Sequence, residues 1–129
     1  MRTVEDILLK KGAGVVTTHP TSSVREAVHQ MAEANVGCLL IEDDSRIVGI
    51  MTERDLLRRV VDADRDPRTT PVREVMSSPA QTCSPADEVR QCADTLSHHS
   101  FRHLAVMDNE EAVGVVSLRD LAGELRKGS

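Results

Sequence analysis

Two short stretches place a hydroxyl three residues ahead of a carboxylate: Thr52-Glu-Arg-Asp55 and Ser117-Leu-Arg-Asp120. Each follows an aliphatic run of strand character, Ile47–Met51 or Ala112–Val116, and opens a segment of helical periodicity. A strand that turns directly into a helix leaves backbone N–H groups unpaired at the positive helix end. A hydroxyl among those groups suits a phosphate. An ionised Asp one turn in suits two neighbouring hydroxyls, as on a ribose, because it accepts two charge-assisted hydrogen bonds at once. The same pattern is also a capping box, which needs no ligand and contributes about 0.5–2 kcal/mol. Both copies carry Asp where a capping box prefers Glu or Gln, and one carboxylate can serve both roles.

The two stretches belong to a longer repeat. Thr17–Leu56 aligns without a gap to Thr82–Leu121 at a constant offset of 65, and eleven of the 40 pairs are identical, among them Pro20/Pro85, Gly49/Gly114, Arg54/Arg119 and Asp55/Asp120. A fixed period over most of a short chain indicates two copies of one supersecondary unit that share a core. At 129 residues each half is marginal alone.

Composition narrows the function. Hydrophobic residues make up 40%, yet Phe101 is the one aromatic, so the core is aliphatic and there is no stacking platform for nucleic-acid bases. Sixteen basic against 21 acidic residues, a net charge of −5, argue against duplex DNA or RNA as partner. Cys38, Cys83 and Cys92 form no Cys-x-x-Cys pair and stand where a small hydrophobe packs, so neither a zinc ribbon nor a disulfide framework is supported. With no signal-like or membrane-spanning apolar run, the chain reads as a soluble cytoplasmic protein without a membrane partner.

Periodicity predicts β-α-β-β-α twice, an α/β (α+β) fold. In the first copy these are a strand over Gly14–Thr18, a helix capped by Ser23-Val-Arg-Glu26, strands Cys38–Glu42 and Ile47–Met51 around a polar turn, and a helix from Thr52 to Val61. The second copy reads Ala80–Cys83, Asp87–His99, His103–Met107, Ala112–Val116 and Ser117–Leu125. A helical lead-in precedes each, Val4–Leu8 and Val72–Met76, offset by 68 because three extra residues lie within Lys10–Gly14. The expected division is repeat one with its lead-in helix at 1–64, a linker at 65–71 in the charged, proline-bearing stretch Asp62–Pro71, and repeat two at 72–129.

Val15-Val-Thr-x-x-Pro20, Leu39-Leu-Ile-x-Asp43 and Val48-Gly-Ile-Met-Thr-x-x-Asp55, matched by Arg102-His-Leu-Ala-Val-x-Asp108 and Val113-Gly-Val-Val-Ser-x-x-Asp120, resemble the cystathionine-β-synthase (CBS) domain. The chain resembles stand-alone two-repeat members of that family. The resemblance implies a pseudo-two-fold pair that binds AMP, ADP or ATP, with NAD or S-adenosylmethionine as further ligands, in two clefts. It implies a regulatory, energy-sensing module with no catalytic cofactor, a homodimeric disc of two pairs, and a regulated target protein that the sequence does not name. Ribose falls to Asp55 and Asp120. Phosphate falls to Thr52, Ser117, Arg54, Arg119, Arg102 and His103, with solvated helix faces or surface ion pairs as the plain reading of the arginines. Adenine with Asp120 would lie against Gly14, Val16, Val36, Gly37, Cys38 and Val115. Adenine with Asp55 would lie against Ile50, Gln81 and Phe101, beside Arg102 and His103. Since Phe101-Arg-His103 is bulkier than Val36-Gly-Cys38, the Asp120 site is expected to fill first. Gly49 and Gly114 read as sites of close backbone approach. An apolar stripe (Leu56, Leu57, Val60, Val61; Leu121, Ala122, Leu125) is the expected dimer contact.

Three rivals stand beside this. One is a ligand-free, protein-binding pair. Another is a metal site on His98, His99 and His103 near Cys92, which has no equivalent in the first repeat. The last is an enzyme, for which no nucleophile elbow, P-loop or repeated Cys/His pair is present, so no catalytic residue is assigned.

Overall fold

A computed structural model of the chain describes residues 2–12 and 14–127. Met1, Ala13, Gly128 and Ser129, where the outer ends of the expected division and part of the three-residue insertion fall, lie outside the described residues. The element order is α1 (Val4–Lys11), β1 (Thr17–Thr18), α2 (Val24–Ala34), β2 (Cys38–Asp43), β3 (Arg46–Thr52), α3 (Glu53–Leu56), then β4 (Thr82–Cys83), α4 (Val89–Ser97), β5 (His103–Asp108), β6 (Glu111–Ser117) and α5 (Leu118–Arg126). This is the mixed α/β fold the periodicity predicts.

Each repeat forms its own three-stranded sheet, in the order β1-β2-β3 or β4-β5-β6, with a parallel first pair and an antiparallel hairpin. The registers agree pair for pair at the offset of the sequence repeat: Leu40 faces Ile50 as Ala105 faces Val115, and a bulge falls at Ile41/Glu42 and again at Val106/Met107. Both hairpins turn on two residues with positive φ, Asp44 (53°) and Ser45 (64°), Asn109 (51°) and Glu110 (69°). This is the turn whose twist matches the strands and which favours Asn-Gly or Asp-Gly. Ser45 and Glu110 adopt the left-handed conformation without a favourable side chain. Ser45→Gly and Glu110→Gly are therefore each expected to stabilise the fold by about 0.5–1 kcal/mol, read as a higher urea midpoint at unchanged slope.

Packing cuts the chain differently from the sequence repeat. The compact units are 1–15 with 81–129, and 16–80. In the first, Val4, Ile7 and Leu8 of α1 join Val89, Leu96, Leu104, Val106, Val116 and Leu121 in one aliphatic core. In the second, Val72 and Val75 of the later lead-in join Val24, Ala27, Met31, Leu39, Ile41, Met51 and Val60. Each lead-in thus packs with the repeat it does not precede in sequence. Backbone bonds repeat this arrangement: Val4 N–H donates to Asp87 O and Glu5 N–H to Pro85 O, both at 2.9 Å, as Val72 N–H donates to Ser22 O at 2.8 Å and Arg73 N–H to Pro20 O at 3.0 Å.

The crossing shortens β1. Gly14 N–H bonds to Val113 O in one unit, while Val16 O accepts from Leu40 N–H in the other, so residues 14–16 change units and leave Thr17–Thr18 as strand. One further departure follows β3. The helix after β3 is α-helical to Leu56 and continues as a π-helix over Leu57–Val61. This turns Val60 into the core at 3% exposed and leaves Leu57 and Val61 at 64% and 67%. The expected apolar stripe is therefore broken, since Val60 and Leu121 are interior.

Candidate functional site

β3 runs into α3 at Thr52, and the hydroxyl–carboxylate pair forms the capping box in full. Thr52 N–H donates to Asp55 Oδ2 at 3.0 Å, and Asp55 N–H donates to Thr52 Oγ1 at 3.2 Å. Asp55 is 8% exposed. Its other oxygen, Oδ1, accepts from Ser77 Oγ at 3.1 Å and lies 3.9 Å from Arg59 Nε. The bland role expected of this Asp is filled, and the carboxylate is held in one orientation by it.

β6 and α5 repeat the device. Ser117 N–H donates to Asp120 Oδ2 at 2.9 Å and Asp120 N–H donates to Ser117 Oγ at 3.0 Å. The neighbour differs in kind: Lys11 Nζ, from α1, donates to Asp120 Oδ2 at 2.8 Å and to Val115 O at 3.1 Å. Burial pushes the Asp120 carboxyl up, but the Lys11 ammonium and the Ser117 donors outweigh it and hold the group below the ordinary carboxylate value. One turn along α5, Glu124 is only 4% exposed beneath Lys10 and Arg2. Lys10 first, then Arg2, hold its carboxyl low against the opposing effect of burial. Three cations of the lead-in segment thus meet two carboxylates of α5 that stand more than 100 residues away in sequence.

The other expected site residues divide between the units. Val36 and Gly37 line a groove of about 440 Å³ in the unit of residues 16–80, with Met31, Asn35, Glu53 and Leu56. Val16, Cys38 and the buried Ile50 belong to the same unit. Gly14 and Gln81, both exposed, and Val115, half-buried, belong to the other. Arg54 and Arg119 are exposed on the first turns of their helices. Arg102 is exposed and donates to His99 O at 3.3 Å, and His103 opens β5 opposite Ser117. Phe101 packs against the core of its own unit and stacks on His99, ring centres 4.9 Å apart. Its bulk has a use in the fold that its position in the repeat does not reveal.

Gly49 and Gly114 do mark a close approach, but the partner is the chain itself. A Cβ on Gly49 would stand 2.7 Å from Met76 Sδ and 2.9 Å from Ser77 O, and one on Gly114 would stand 2.6 Å from Leu8 Cδ2. The two glycines receive the crossed lead-ins. The histidine rival also changes. Among the described residues, the ligand-type atoms that converge are those of Cys83, Asp87 and Cys92, not of His98, His99 and His103; His98 Nδ1 is 2.7 Å from Asp94 O, at the end of its own helix. Burial first, then the neighbouring Cys92 and Asp87, pushes the Cys83 thiol up to about 12, and burial followed by Asp87 raises Cys92. Among the described residues no helix is long and apolar enough to cross a membrane.

The fold and the duplicated carboxylates fit one class, and comparison with known proteins agrees. The CBS domain family matches residues 4–62 and 72–127. The chain belongs to that family as a CBS pair, a regulatory module. A CBS domain-containing protein of Bacillus subtilis (strain 168), YhcV, is 31% identical over 95% of this chain and 84% of its own length. A putative signal-transduction protein with CBS domains from Burkholderia ambifaria MC40-6 superposes with a TM-score of 0.89 at 32% identity, covering 98% of this chain and 96% of that one. A CBS domain protein from Pyrobaculum aerophilum, complexed with AMP, superposes at 0.81 with 27% identity over 98% of this chain and 99% of that one.

Proposed function

We propose that this CBS pair is a cytoplasmic sensor of an adenosyl ligand, AMP, ADP or ATP first and NAD or S-adenosylmethionine next, acting on a target protein rather than catalysing a reaction. The observation that carries this reading is the duplicated carboxylate. In both repeats the Asp is anchored at a helix start through Oδ2 by the backbone N–H of the Thr or Ser three residues earlier. Its orientation is thus set before any ribose arrives, which reduces the ordering cost of binding. The AMP-bound relative from Pyrobaculum aerophilum supports the choice of ligand. Thr52, Ser117 and the exposed Arg54 and Arg119 are assigned to phosphate. Exposed Leu57 and Val61 supply the apolar contact of a homodimer.

Asp120 is the stronger of the two acceptors. Its side chain is 27% exposed against 10% for Asp55, so a ribose reaches it with less rearrangement. The ligand must also displace Lys11 from Oδ2, which leaves an ammonium beside the bound molecule, where a phosphate is the natural counter-charge. Two charge-assisted hydrogen bonds at about 1.5–3 kcal/mol each predict that Asp120→Ala weakens AMP at least tenfold, since about 1.4 kcal/mol is a factor of ten. Asp55→Ala should do less. Titration calorimetry on both variants decides the matter, after a thermal-shift panel of the five ligands has chosen the tightest. The competing reading, a pair that only binds proteins, draws on the internal partners Lys11 and Ser77 and predicts no heat with any of the five.

A further inference from the structure

In the second repeat, three ligand-type side chains converge where the first repeat has none. Cys83 ends β4, Asp87 lies in the turn that follows, and Cys92 is on the first turns of α4. Their sulfur and carboxylate atoms all lie within 4.8 Å of one another. The positions 65 residues earlier hold Thr18, Ser22 and Ala27. They occupy the same register in the same elements, with Thr18 opposite Ile41 as Cys83 is opposite Val106. Thr18 and Ala27 are 9% and 0% exposed and Cys92 is 6% exposed, so Thr and Ala already fill the equivalent interior positions of this fold. Packing therefore calls for neither sulfur nor a carboxylate here, yet all three positions carry one.

We propose that Cys83, Asp87 and Cys92 form a binding site for a borderline-soft divalent cation of the zinc class, with two thiolates, one carboxylate and a water as the fourth ligand. The donor set is the one such a cation takes. Tetrahedral bonds of about 2.3 Å put two sulfurs roughly 3.8 Å apart, a separation within the 4.8 Å that spans these ligand atoms. Asp87 is held by the backbone: its Oδ2 accepts from Ser84 N–H at 2.9 Å and its N–H donates to Ser84 O at 3.0 Å. This gives the carboxylate the outer support that metal ligands characteristically have. Cys83 and Asp87 are half-buried, which leaves a way in for the ion and its water. Without a cation the charge of Asp87 opposes ionisation of either thiol; with one, three anionic ligands share it. Binding releases two thiol protons to solvent and involves no change of oxidation state.

Cobalt(II) is the probe, added to the reduced, chelator-treated full chain. The expected result is one ion per chain, with thiolate-to-cobalt charge transfer in the near ultraviolet, tetrahedral ligand-field bands in the visible, and displacement by zinc. Cys83→Thr with Cys92→Ala installs the residues that the first repeat uses. It should abolish the sulfur bands and weaken zinc roughly a hundredfold or more. Asp87→Ser should keep the bands and weaken zinc about tenfold, and Cys38→Ser should leave the sulfur bands and the zinc affinity as they are. If the double variant does not fold, Cys83→Thr alone, at a half-buried position, must still remove most of the charge-transfer intensity. Absence of sulfur bands in the reduced parent, their survival in the double variant, or their loss in Cys38→Ser would each overturn the site.

Discussion

Ile7→Ala and Leu8→Ala are expected to unfold the part of the molecule built from the second repeat and to spare the part built from the first. Ile7 and Leu8 are 5% and 8% exposed, and their neighbours are Val89, Leu96, Leu104, Val106, Val116 and Leu121, all of the second repeat. Removing a buried Ile or Leu side chain costs about 2–5 kcal/mol, and a domain has about 5–15 kcal/mol in total, so the pair together removes most or all of it. Hydrogen exchange reads the location directly. Amides of β5, β6 and α4 should lose protection, while those of β2 and β3 keep theirs. The opposite pattern would mean that α1 serves the repeat it precedes, and the crossed packing would be wrong.

That crossing was the part of the fold least legible in the chain. Strand register, hairpin turns and helix faces follow from local periodicity, and the constant offset between Leu39/Leu104 and Gly49/Gly114 carried them from one repeat to the other. The lead-ins defeat the same logic. Val4, Ile7 and Leu8 present the pattern of Val72, Val75 and Met76, so either segment suits either sheet, and nothing in the sequence says which is taken. The site shows the same split. Asp55 and Asp120 are legible because a hydroxyl three residues ahead of a carboxylate is a local pattern. Lys11 and Ser77, which occupy those carboxylates, are brought there by the crossing and leave no local mark. The convergence of Cys83, Asp87 and Cys92 does have a sequence signal: three ligand-type residues stand at the repeat positions that hold Thr18, Ser22 and Ala27 in the first copy. The π-helix at Leu57–Val61 has no such signal, because its residues read equally well as an ordinary helix.

The two glycines should differ although the repeat makes them equivalent. Gly49→Ala is expected to cost about 1–3 kcal/mol, the usual range for overpacking a tight interior. Gly114→Ala should cost about 1 kcal/mol, the scale of one strained rotamer. At Gly49 the new methyl would meet Ser77 O at 2.9 Å as well as Met76 Sδ. That carbonyl cannot withdraw freely, because it accepts from Ile50 N–H at 3.0 Å while Ser77 N–H donates to Ile50 O at 2.8 Å. Moving Ser77 also loosens its hydroxyl from Asp55 Oδ1, so the substitution disturbs the candidate ribose acceptor as well as the fold. At Gly114 the methyl would meet the end of the Leu8 side chain, which can turn aside. Urea unfolding gives the order of the two costs, and double-mutant cycles give the cause. Leu8→Ala should relieve much of the strain of Gly114→Ala, since it removes the atom in the way. Met76→Ala should leave most of the Gly49→Ala cost in place, because the backbone oxygen of Ser77 remains. Equal costs, or rescue of Gly49→Ala by Met76→Ala, would refute the account of Gly49 as a seat for the crossed backbone.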